Sequence, residues 1–160
     1  MLVVGVALAA AVDVRTRRIP NAVTAPMSAF GLALAALGTG ATSLGGAAGG
    51  FAVGLLLMLP GYALGATGAG DVKLMGAVGT LVGPAVVVSA FLWTAIAGGI
   101  LAVGVALYRG RLSATLAGTG RLLAAPGDAR RTIDASSVTS RFAYGPAIAI
   151  GSLVAALVQA

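Results

Sequence analysis

The chain has no cysteine, no histidine and no glutamate among its 160 residues. Without cysteine there is no disulfide, no thiol nucleophile and no tetracysteine zinc site. Without histidine there is no Ser-His-Asp triad, no Ser-His hydrolase pair and no usual imidazole zinc site. A His-Glu metalloprotease helix is excluded twice over. Charge is also scarce: 9% of residues are charged, where a soluble domain carries about 25%. What remains for acid–base chemistry is four aspartates, one lysine, three tyrosines, the hydroxyls and the arginines. Nothing in that set suggests a metal or an organic cofactor, and none is expected.

What is present is apolar. Hydrophobic residues make up 59% of the chain, few of them aromatic, and 25 residues are glycine. About 20 consecutive apolar residues cross a bilayer, and several stretches approach that length. The expected class is all-α, a small polytopic membrane protein with a single membrane-embedded domain over residues 1–160. Apolar spans are expected at residues 2–12, 22–37, 44–64, 72–82, 85–108 and 142–158. Gly83-Pro84 reads as a helix stop followed by a helix start. Residues 2–12 fall short of a full crossing, so the true start is expected upstream or this helix only partly inserted. The other terminus reads as complete, and no cleavable signal peptide is evident. Gly46, Gly50 and Gly54 repeat on one face of the third span, an expected site of close helix packing.

Charge tests this division. The net charge is +6, and all ten basic residues fall in the loops after the first, third and fifth spans. Those after the second and fourth spans carry none. Basic loops stay in the cytoplasm, so six transmembrane helices with both termini outside are expected. Nucleic-acid binding is not expected, because no polar part is large enough to hold it. Residues 109–141 form a cytoplasmic loop, with Asp128 and Asp134 among Arg130 and Arg131, where local ion pairs suffice. Within it, Leu112, Leu116 and Leu123 fit either an interfacial amphipathic helix or a disordered connector.

Asp13 and Asp71 differ from the loop acids. Each lies at the cytoplasmic end of an apolar helix, where an ionised carboxylate is costly. Singly, each has an ordinary explanation. Asp71 could cap a helix N-terminus, and Asp13 could pair with Arg17 one turn away. Together they are the two acids able to face each other inside the bundle. Facing carboxylates share a proton. The ionised one can deprotonate water, and the protonated one can donate to a carbonyl and then to the leaving amine. That is peptide hydrolysis without metal or covalent intermediate. Gly68 and Gly70 leave room beside Asp71 for an extended substrate.

The stretch Asp13-Val14-Arg15-Thr16-Arg17-Arg18-Ile19-Pro20-Asn21 closely resembles the first-aspartate motif of the type IV prepilin peptidases, which are GxGD intramembrane aspartic proteases. Gly68-Ala69-Gly70-Asp71-Val72-Lys73-Leu74 resembles their second, and Tyr144-Gly145-Pro146 is similar to the start of their last helix. Ala143 stands where that pattern has a proline. The resemblance implies an aspartic endopeptidase of the cytoplasmic (inner) membrane, with its active site on the cytoplasmic side. Asp13 and Asp71 would be the catalytic pair. Gly68, Gly70, Lys73, Ile19, Pro20 and Asn21 would support the motifs or the substrate. The implied partners are the lipid bilayer and a pilin or pseudopilin precursor, whose short basic leader is cut from a hydrophobic helix. Larger members carry a cytoplasmic domain, often with a cysteine zinc site, and also N-methylate the product. This chain is similar to the short forms of tight-adherence (Flp-type) pili or to archaeal preflagellin peptidases, which implies cleavage without methylation. Two other readings stay open: a proton-coupled carrier using Asp13 and Asp71, and a purely structural membrane subunit.

Overall fold

A computed structural model describes residues 1–108 and 144–159; the loop at 109–141 lies outside them. Among the described residues the chain is all helix, without strands. The helices are α1 (Leu2–Thr16), α2 (Asn21–Ala36), α3 (Leu44–Ala63), α4 (Ala69–Tyr108) and α5 (Gly145–Val158). In an apolar surrounding each backbone polar group needs a partner within its own segment, which the helix supplies. The boundaries follow local chemistry. Ser43 caps α3 by accepting a hydrogen bond from the Gly46 N–H at 3.1 Å, as a helix N-cap should. Arg17 closes α1 in the left-handed conformation, its N–H donating to the Asp13 carbonyl at 2.7 Å. Pro20 precedes α2 with extended backbone, and α5 opens with proline in its first turn.

The expected break at Gly83-Pro84 takes the form of one non-helical residue. Gly83 has φ 81° and ψ 175°, a region open in practice to glycine alone. The two arms of α4 fold back on each other there. A straight helix would put Asp71 and position 98 about 40 Å apart. Instead the Tyr144 side chain reaches both: its ring packs at Gly98, and its phenol lies within Coulombic range of Asp71. The fourth and fifth expected spans are therefore the arms of a hairpin.

The first arm is the centre of the fold. Every residue from 71 to 80 is buried except Lys73. α3 runs antiparallel to this arm in backbone contact. A Cβ on Gly50 would strike the Gly79 carbonyl oxygen, and one on Gly79 would strike the Gly50 carbonyl oxygen. Gly54 meets Met75 and Gly76 in the same way, whereas Gly46 faces Thr42 of the preceding turn rather than another helix. The second arm pairs antiparallel with α5: Thr94 and Ala90 lie against Gly151, and the Gln159 amide donates to Ser89 Oγ at 2.8 Å. The core joins Val6, Leu74, Met75, Val78, Val87 and Ile148.

Outside, the apolar character persists. Val4, Leu56, Leu92, Ile96 and Ile100 are all exposed, a surface expected of a protein that faces lipid. Two helices, α3 and α4, are long and apolar enough to cross a membrane, and α2 and α5 are shorter apolar helices.

Candidate active site

Four helix ends meet at one level: the C-terminus of α1 and the N-termini of α2, α4 and α5. Asp13 sits in the last turn of α1 and is 5% exposed; Asp71 sits in the first turn of α4 and is 7% exposed. Two carboxylic acids this buried need partners, and each has a backbone N–H. Gly68 N–H donates to Asp71 Oδ2 at 2.8 Å. This is the reach-back of a third-position acid to the N-cap residue, so Asp71 serves the helix start from inside the first turn rather than as the N-cap itself. Gly145 N–H donates to Asp13 Oδ2, also at 2.8 Å, across 132 positions of sequence. Asp13 thus reaches the start of α5, where a helix presents unsatisfied donors and the positive end of its dipole. The two carboxyls lie within Coulombic range of each other.

The other motif residues gather around the pair. Ile19 is buried against Gly70, whose Cβ would stand 2.9 Å from the Ile19 Cβ and 3.0 Å from its carbonyl oxygen. Lys73 Nζ donates to Asn21 Oδ1 at 2.9 Å on the exposed side. Pro20, itself exposed, sets the turn between Ile19 and Asn21. The first motif therefore folds over the second, through Ile19 on Gly70 and Asn21 on Lys73. Gly68 supplies its N–H to Asp71 and keeps space beside it: a Cβ there would lie 3.3 Å from Asp71 Oδ2.

Gly145 was not among the expected site residues. Its signal was present in Tyr144-Gly145-Pro146, since proline in a first turn marks a helix start whose free N–H groups want an acceptor. Which acid would fill that place could not be read from spacing.

A family model described as the type IV leader peptidase family matches residues 1–103. The chain belongs to that family. The match takes in α1 to α3, most of α4, both aspartates and both motifs, and it ends before α5. No curated protein and no solved structure matches the chain. As a type IV leader peptidase it is a protease and a membrane protein, and prepilins are its substrates. In such a leader peptidase, two buried acids at converging helix ends are a site at which water could be turned against an amide.

Proposed function

We propose that this leader peptidase is an intramembrane aspartic endopeptidase whose catalytic pair is Asp13 and Asp71. The observation that carries the reading is their convergence: two buried carboxyls, 58 positions apart in sequence, are held where the end of α1 meets the starts of α4 and α5. In the reaction one carboxyl is ionised and the other protonated. The ionised one takes a proton from water as the water oxygen bonds to the scissile carbonyl carbon. The protonated one donates to the carbonyl oxygen. The resulting diol collapses: one hydroxyl returns a proton to the second carboxylate as the C=O reforms, the C–N bond breaks, and the leaving nitrogen receives the proton first taken from water.

The substrate is the short basic leader of a Flp-type prepilin or pseudopilin, cut at the cytoplasmic face of the inner membrane. The product is released without N-methylation, as the resemblance to the short forms implies. Six transmembrane segments with both termini outside belong to the same reading. They would correspond to α1, α2, α3, the two arms of α4, and α5, with all ten basic residues lying in sequence at or between the facing ends of the first and second, third and fourth, and fifth and sixth segments.

The test is cleavage of a co-expressed prepilin by wild type, Asp13→Asn and Asp71→Asn. Both variants are expected to lose processing by at least about a thousandfold, as removal of an essential acid or base does. Full cleavage by either would remove that residue from the pair. Mass spectrometry of the mature N-terminus, expected unmethylated, checks the second part.

A further inference from the structure

α5 lies beyond the residues matched to the family, yet its first residue holds one of the two acids. We propose that Gly145 is a positioning residue for Asp13, fixing its carboxyl in the catalytic pair through the backbone N–H and through the absence of a side chain. This rests on the reading of Asp13 as catalytic.

Three observations carry it. The Gly145 N–H donates to Asp13 Oδ2 at 2.8 Å in a buried setting. A Cβ on Gly145 would stand 2.9 Å from the Asp13 Cβ and 2.9 Å from Oδ2, closer than real Cβ atoms come, and 3.2 Å from Cγ. And Gly145 is not among the glycines with positive φ. Its backbone is one that any residue adopts, so glycine stands here for room. Gly83 is the contrasting case, where conformation demands it.

The seat itself is fixed from the other side. Tyr144, at the N-cap of α5, lays its ring on Gly98 of the second arm of α4. About two turns further along, Gly151 is against Thr94 and Ala90. α5 therefore cannot retreat from an added methyl group without losing those contacts, and the carboxyl of Asp13 must move instead. A misplacement of about 1 Å at a reacting group costs about a hundredfold in rate.

The cysteine-free chain allows a direct test. Asp13→Cys combined with Gly145→Cys, oxidised in native membranes, is expected to form an intramolecular disulfide. The Cβ separation of 2.9 Å need open by less than about 1 Å to reach disulfide geometry. Asp13→Cys with Ala155→Cys, at the far end of α5, is expected to stay reduced. Absence of the first bridge would overturn the proposal without any appeal to activity. In the second arm of the test, folded Gly145→Ala is expected to lose kcat by about a hundredfold with KM held within about twofold. Gly104→Ala, where a Cβ meets open space, is expected to change neither. Wild-type kcat in Gly145→Ala, or a loss confined to KM, would overturn the positioning role. If the bridge forms but Asp13→Asn still cleaves, the fault lies in the reading of Asp13 as catalytic, and the proposal falls with it.

Discussion

Gly68 and Gly70 both precede Asp71, but added side chains at the two would meet different things. At Gly70 a Cβ runs into the Ile19 Cβ at 2.9 Å and into Ile19 backbone oxygen and nitrogen at 3.0 and 3.2 Å. Backbone cannot step aside as a side-chain tip can, so Gly70→Ala is expected to push the two motifs apart. Overpacking of this kind costs about 1–3 kcal/mol. At Gly68 the nearest atom is the Asp71 carboxyl oxygen at 3.3 Å, which can give by a few tenths of an ångström. Prepilin cleavage should therefore fall much further in Gly70→Ala than in Gly68→Ala, and thermal unfolding of the purified proteins should rank them in the same order. The reverse ranking would mean that Ile19 is not where the two motifs meet.

At the scale of the helix, the decisive position is Gly83. Its φ of 81° with ψ of 175° is reserved for glycine, and an added Cβ would also lie 3.1 Å from Thr42 Oγ1. Gly83→Ala should destabilise the fold by about 1–3 kcal/mol. Pro84→Ala, which leaves the turn residue in place, should cost less. Scanning calorimetry in detergent checks both. This corner was legible in the sequence because Gly-Pro punctuation acts locally, and so were the six helical segments, whose lengths follow from apolar runs and turn residues. Asp13 and Asp71 stood out for a related reason: of the four aspartates in the sequence, these two border the apolar runs. What spacing could not carry was contact between distant parts. The bond from Gly145 to Asp13 spans 132 positions, and that from Lys73 to Asn21 spans 52. Gly46 likewise shares its spacing with Gly50 and Gly54 but not their partner, because the register against α4 decides which glycines meet it.

Across the whole molecule, α3 and the first arm of α4 touch backbone to backbone at Gly50 and Gly79, a fit that leaves no slack for sliding. A short bifunctional cross-link between Phe51→Cys and Gly76→Cys, positions at which a Cβ on Gly76 would stand 3.1 Å from the Phe51 ring, should leave prepilin cleavage within about twofold of the uncross-linked variant. A large loss would show that α3 and α4 must part during turnover. Along the first arm of α4, Asp71 lies about 18 Å from the Gly83 corner, so the candidate site and the corner stand at opposite ends of that arm.

Asp71 is fastened to its own helix three residues away, whereas Asp13 is fastened to α5. The acids thus ride on different bodies, one interlocked with α3 and the other tied to the closing helix of the chain. Their separation is therefore set by the seat of α5 on the second arm of α4, where Tyr144 meets Gly98 and Gly151 meets Thr94 and Ala90, so a substitution in that seat reaches the acids without touching either of them.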